Sequence, residues 1–211
     1  MLLWLIETDV FQLPQLHKHF NVSGHCKATP INFLISLMGD RNFKPFPVLK
    51  TERLTLRQLV SSDANEIFAL RSDGNVNKYL DRKPSKSIDD AKTFIQTINE
   101  NIQRNYSIYW AITLNSTNKV IGTICLFDFS DDNLKAEIGY ELLPDFQGKG
   151  IMQEAASKVI DFGIQHIGLN SIEAYTHSEN QSSTRLLEKL NFKRHSAGDD
   201  NFMIFILIHN G

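Results

Sequence analysis

The stretch Gln147-Gly-Lys-Gly-Ile-Met152 puts two glycines and a lysine between a strand pattern and a helix pattern. A helix start leaves several backbone N–H groups without intrahelical partners, all pointing one way, with the positive end of the helix dipole behind them. Phosphate oxygens suit such a turn. Gly148 and Gly150 carry no Cβ to hold an anion off the backbone, and Lys149 adds positive charge. The same residues also serve an ordinary tight strand-to-helix turn. Two well-defined phosphate sites are excluded by spacing. A P-loop requires four residues between its first glycine and Gly-Lys-Ser/Thr, and a dinucleotide fingerprint requires a third glycine and a later acidic residue. Neither is present.

The elements that must position this turn are legible on both sides. Ala136, Ile138, Tyr140 and Leu142 alternate with Glu137, Gly139 and Glu141, the two-residue period of a half-buried strand. Glu137 and Glu141 then share a face, and Pro144 and Asp145 stop the strand. Beyond the turn, Ala155, Ala156, Val159, Ile160, Gly163, Ile164 and Ile167 form one broad helical face. Glu154, Lys158, Asp161 and Gln165 fall on the other, and Gly168 marks the end.

Elsewhere the pattern predicts a first strand over 52–57 and a helix from Ser61 to about Leu70. A second helix starts near Ser87, with Asp89 and Asp90 in its first turn. Strands follow over 108–114 and 120–129, then 171–177 after the central helix. A last helix over 180–191 and a hairpin of 192–195 with 202–209 close the chain. By connection length, the strands flanking the central helix can pair in parallel. Cys125 lies inside a strand run and reads as a packed small hydrophobe.

At 211 residues, 42% hydrophobic and 22% charged, the chain suits one globular domain with an appendage. A formal charge of −2 makes no case for nucleic acid as a direct ligand. Cys26 and Cys125 suggest neither a disulfide framework nor a zinc knuckle, and the cytoplasm is the expected location. Residues 1–6 are apolar but too short for a membrane span and lack a basic flank. A metal site from His17, His19, His25 and Cys26 is conceivable, but scattered surface histidines are the commoner case, and no metal is expected.

Three motifs in order resemble the GNAT superfamily of acyl-CoA N-acyltransferases. Gln147–Met152 matches its Gln/Arg-x-x-Gly-x-Gly/Ala signature, except that Met152 replaces the last small residue. Asn180-Gln-Ser-Ser-Thr-Arg-Leu-Leu-Glu-Lys-Leu-Asn-Phe192 is similar to its Asn-x-x-Ser segment. Thr51-Glu-Arg-Leu-Thr-Leu-Arg57 looks like the opening strand of the RimJ/RimL-type branch, which acetylates ribosomal-protein N-termini. Met38 to Lys50 resembles the start of proteins in that branch. Residues 1–37 are therefore expected to be an extension, possessing no assigned role, and 38–211 the acetyltransferase domain.

The resemblance implies an α+β GNAT fold: a mixed, mostly antiparallel sheet flanked by helices, with its fourth and fifth strands parallel and splayed. It implies acetyl-CoA as co-substrate, an amine acceptor, no membrane association, and a monomer or homodimer. It places the diphosphate at Gln147, Gly148, Lys149, Gly150, Ile151 and Met152, and an oxyanion donor at the N–H of Leu142 or Leu143, where family members carry a bulge. Asn180 and Ser183 match positions that touch the pantetheine or stabilise the departing sulfur. Glu137 stands where one branch carries its catalytic glutamate, with His177 a weaker base. Tyr79, Arg82 and Glu141 are the expected substrate contacts, the first two from a lid loop over 73–85. One departure is Leu187, where many members carry a tyrosine general acid: either Ser183 or a water takes the role, or thiolate release needs no dedicated acid.

That departure bears on the acceptor. An α-amino group of pKa about 8 costs about 1.4 kcal/mol to neutralise at pH 7, and a lysine near 10.4 about 4.6 kcal/mol. A site without a strong acid–base pair suits the easier amine, a protein or peptide N-terminus. A small-molecule amine and a non-catalytic acyl-CoA sensor remain the alternatives. A polyamine would predict an acidic lid, whereas Asp73, Lys78, Asp81, Arg82, Lys83 and Lys86 make this one mixed to basic.

Overall fold

The computed structural model describes residues 41–130, 132, 134–197 and 201–209. The proposed boundary at Met38, the 1–37 extension and the His17, His19, His25 and Cys26 cluster lie outside them. Alternating apolar residues build the sheet: in β2 (Leu54–Arg57), Leu54 and Leu56 are fully buried while Thr55 and Arg57 are half-buried. A short β1 (Leu49–Lys50) precedes it, a strand the sequence pattern did not mark. There follow β3 (Ile108–Leu114), β4 (Val120–Phe127), β5 (Lys135–Leu142), β6 (Ser171–His177), β7 (Lys193–Ala197) and β8 (Phe202–Ile208). β4 stops two residues short of the expected Phe129, because Asp128 takes a left-handed φ of 48°.

The sheet order is β1-β2-β3-β4-β5-β6-β8-β7, antiparallel everywhere except between β5 and β6. Those two, the fourth and fifth strands of the sequence pattern, are the parallel pair. They pair at only three positions, Lys135 with Ser171, Ala136 with Ile172 and Glu137 with Glu173. Past Glu137 they part. Along its other edge β5 keeps unbroken register with β4, from Glu137 opposite Phe127 to Leu142 opposite Gly122. The expected bulge in β5 is therefore not there, and Glu137, Gly139 and Glu141 share one face.

Helices cover both faces. On one lie α1 (Ala64–Ser72), the single turn α2 (Gly74–Asn77) and α3 (Ile88–Gln103). Ser87 and Asp90 close a reciprocal capping box at the start of α3. The α3 residues Ala91, Phe94, Ile95, Ile98 and Ile102 are buried, and Phe94 meets Tyr109 edge-on at 5.7 Å. On the other face, α4 (Ile151–Phe162) buries Ile151, Met152, Ala155, Ala156, Val159 and Ile160. Its Phe162 packs edge-on against Trp110 at 5.6 Å. The predicted helix continues as a π turn, Gly163–Ile167, and Gly168 ends it with φ 85°. α5 (Gln181–Lys189) starts at Asn180, whose Oδ1 accepts from the Ser183 N–H at 3.1 Å. No described helix is long and apolar enough to cross a membrane.

Candidate active site

The parting of β5 from β6 opens a gap through the sheet. Ile138 to Tyr140 line one side and Ala174 to His177 the other. Tyr79, Leu80 and Asp81 close it on the α1–α3 face, and Asn180 and Ser183 meet it from α5. A strand pair that separates leaves backbone donors and acceptors unpaired, which suits an extended ligand laid between the strands.

Glu137 stands at the last paired position, where the gap begins. It is 6% exposed, and among the described residues its Oε2 has no hydrogen-bond partner. Burial, reinforced by the nearby Asp128 and Glu173 carboxylates, raises its pKa to about 8. The sequence placed Glu141 on the same face but did not show its partner. Arg82 Nη2 lies 2.6 Å from its Oε2, and Oε1 accepts from Thr123 Oγ1 at 3.0 Å and Tyr109 OH at 3.3 Å. Burial works to raise the Glu141 pKa, but Arg82, Arg71 and the hydrogen bonds outweigh it and hold it low. Arg82 is further held by Asn77 Oδ1 at 2.8 Å. Arg82 and Glu141, both expected substrate contacts, bind each other, and neither is among the residues lining the gap. They tie the lid loop to β5.

Tyr79 does line the gap. Its ring stacks on His177 at 5.5 Å, and His177 in turn meets Phe202 edge-on at 5.6 Å. Cys125 is buried behind Gly139, and burial pushes its thiol pKa well up, so it is no nucleophile. On the α5 side, Ser183 Oγ and Tyr140 OH share a hydrogen bond of 2.8 Å. Burial raises the Tyr140 pKa to about 12, so its hydroxyl keeps its proton at neutral pH. Tyr140 was missed as a site residue. The available signal was a phenol on the apolar side of a strand, which needs a polar partner when buried. Leu187 is fully buried.

The Leu143 N–H is not available as an oxyanion donor, because it bonds to the Ile121 carbonyl at 2.9 Å. That bond makes Leu142 and Gly122 a non-hydrogen-bonded pair, so the Leu142 N–H points away from β4 toward the gap side. The Leu142 carbonyl accepts from Gln147 Nε2 at 2.9 Å, so Gln147 fastens the turn to the strand end. Gly148 and Gly150 both adopt φ 71°, a conformation other residues enter with strain. Among the described residues no backbone carbonyl accepts from the N–H groups of Gly148, Gly150, Ile151 or Met152. The Lys149 ammonium lies 5.8 Å from the Phe146 ring centroid. A Cβ built on Gly148 meets nothing within 4 Å, so the turn is open in front. Among the described residues, no group of three or more His, Cys, Asp or Glu is placed to hold a metal ion.

Comparison with known proteins agrees with this geometry. Residues 53–193 match the model of the acetyltransferase (GNAT) domain family. The uncharacterized N-acetyltransferase YoaA of Bacillus subtilis (strain 168) is 38% identical over 149 residues, covering 71% of this chain and 84% of that protein. Two solved structures share the fold. The ribosomal-protein-S5-alanine acetyltransferase of Vibrio fischeri superposes with TM-score 0.69 at 22% identity, over 77% of this chain and 96% of that one. Spermidine N-acetyltransferase of Vibrio cholerae, in complex with CoA and spermine, gives TM-score 0.66 at 20% identity, over 75% and 96%. With its family model, its relatives and its parted parallel strands in agreement, the chain belongs to the GNAT family and is an N-acetyltransferase.

Proposed function

We propose that the enzyme takes its acetyl group from acetyl-CoA and passes it directly to an α-amino group at a protein or peptide N-terminus, in the cytoplasm. One observation carries this reading: a gap between parallel strands that begins at a buried carboxylate with one unpaired oxygen, on a strand whose far end leads into a turn of unused N–H donors. Those donors, at residues 148 and 150–152, fit a diphosphate, and the gap fits a pantetheine arm. When bound, acetyl-CoA supplies a thioester-activated acetyl carbon. Glu137 takes the proton of the acceptor ammonium. Its pKa of about 8 lies close to that of an α-amine, so the transfer is nearly balanced near neutral pH. The Leu142 N–H is directed to stabilise developing negative charge on the acyl oxygen. Ser183, hydrogen-bonded to the neutral Tyr140 hydroxyl, delivers a proton toward the departing sulfur. Asn180 holds Ser183 in place through its backbone N–H. Tyr79 covers the acceptor side.

A small cationic amine is the second reading. The lid's Arg82 is neutralised by Glu141, while Asp81 and Glu137 line the gap, with Tyr79 and Tyr175 as aromatic walls. Thiol release from acetyl-CoA, measured with a panel of peptide N-termini, polyamines and amino sugars, separates the readings. Turnover on peptides supports the first. Turnover on polyamines alone replaces it with the second, and CoA binding without turnover on any amine removes both.

A further inference from the structure

The diphosphate turn is held from behind by a residue that the glycine signature does not include. Arg53, at the N-terminal end of β2, reaches across to the start of α4. Its Nη1 donates to the Lys149 carbonyl at 3.0 Å. Its Nε donates to Glu154 Oε2 at 2.6 Å, and its backbone N–H donates to Glu154 Oε1 at 3.0 Å. Thr51 Oγ1 completes the grip on that carboxylate at 2.5 Å. A Cβ placed on Gly150 would lie 3.6 Å from Arg53 Nη2, so the guanidinium sits directly against the turn.

Two consequences follow from elementary geometry and charge. In a trans peptide the carbonyl and the next N–H point to opposite sides. Holding the Lys149 carbonyl toward Arg53 therefore turns the Gly150 N–H to the other face of the turn. Glycines at 148 and 150 leave the intervening peptides free to rotate, and a rotated 149–150 peptide would present a carbonyl oxygen where a phosphate needs a donor. Glu154 also stands in the first turn of α4, where its negative charge would oppose a bound anion. Arg53 neutralises it. Burial works to raise the Glu154 pKa, but the bonds from Thr51 and Arg53 prevail and keep it ionised as the anchor.

We propose that Arg53 is a positioning residue for acetyl-CoA: it locks the 149–150 peptide with its N–H toward the diphosphate and cancels the Glu154 charge beside it. This rests on the proposed diphosphate site at residues 148–152. The same guanidinium must reach a carbonyl and a carboxylate at once, a task for a planar fork that a lysine ammonium cannot fully reproduce.

The test compares two ligands in the full chain: CoA by calorimetry, and pantetheine, which lacks the diphosphate, by ligand-observed NMR. R53Q is expected to weaken CoA about tenfold or more, the loss of a charge-assisted contact, and pantetheine by less than about twofold. R53K should recover only part of the loss. Equal losses for both ligands would show a merely structural role and overturn the inference, as would unaltered CoA binding by R53Q. If R53Q does not fold, E154Q keeps Arg53 but weakens its anchor. A several-fold loss for CoA and not for pantetheine then supports the inference, and no selective loss overturns it. Failure of the wild-type chain to bind CoA overturns the underlying diphosphate site, whereas unaltered binding by R53Q overturns the Arg53 inference alone.

Discussion

Glu137 and Glu141 stand four residues apart on one face of β5, yet the fold makes them opposites. Both are buried. Glu141 meets two donors on one oxygen and a guanidinium on the other, and its proton is driven off. Glu137 sits where the sheet opens, with one oxygen unpartnered and two carboxylates nearby, and its proton is retained to about pH 8. Desolvation acts on both, so the difference lies in what the protein supplies to oppose it. A buried carboxylate with a full set of partners is structural. One left incomplete at the mouth of a cavity is available for proton transfer.

The largest expected effect removes the incomplete carboxylate. Glu137→Gln should lower kcat by roughly 100-fold or more, the usual worth of a general base, with little loss of thermal stability. Steady-state rates beside a melting curve check this, and near-wild-type turnover would remove Glu137 from the mechanism. Glu141→Gln should do the reverse. It leaves Arg82 and its neighbours without their charged partner, at a cost of about 3 kcal/mol in unfolding free energy. Denaturant titration reads that loss, and a stable but inactive variant would instead place Glu141 in the chemistry.

The two carboxylates should also carry opposite pH signatures. Glu137 has a raised folded-state pKa, so its contribution is fully present below its unfolded pKa and is lost as pH rises toward about 8. Glu141 has a lowered one, so its contribution is present above its unfolded pKa and is lost as pH falls through the folded pKa. Stability against pH for each Gln variant, compared with wild type, separates the slopes. In the rate profile, kcat/KM should rise with pH through about 8, and E137Q should lower it most below that pH, where the acceptor still needs its proton removed. The smallest effect belongs across the gap. Tyr140→Phe removes the hydroxyl bound to Ser183 and should reduce kcat by about tenfold, while Ser183→Ala should not add to it fully in the double variant. Full additivity would show that the two hydroxyls act independently.

Much of this was legible beforehand. The alternation at 136–142, the capping residues Ser87 and Asp90, and the glycines at 148, 150 and 168 are local signals, and each marked its element. The boundaries that shifted answer to contacts outside the local pattern. β4 ends early at left-handed Asp128, and the helix over 151–162 continues as a π turn where Gly163 packs tightly on Leu169, Ile172 and Leu126. The site was legible in part. Glu137, Ser183, Asn180, Tyr79 and the turn at residues 147–152 fall around one gap and its flank. The Arg82–Glu141 pair joins residues 59 positions apart, and the Tyr140–Ser183 bond joins residues 43 apart. No spacing rule within one element reaches that far.

Sequence alone determined the sheet faces, the helix limits within a few residues, and the presence of N–H donors within residues 148–152. Those depend on neighbours a few positions away and on periods of two and 3.6 residues. Tertiary structure decided which of two equivalent glutamates keeps its proton, which lid cation is neutralised, and where Arg53 reaches. Such outcomes turn on the partners that folding brings to a desolvated group, and a period along the chain carries no information about them.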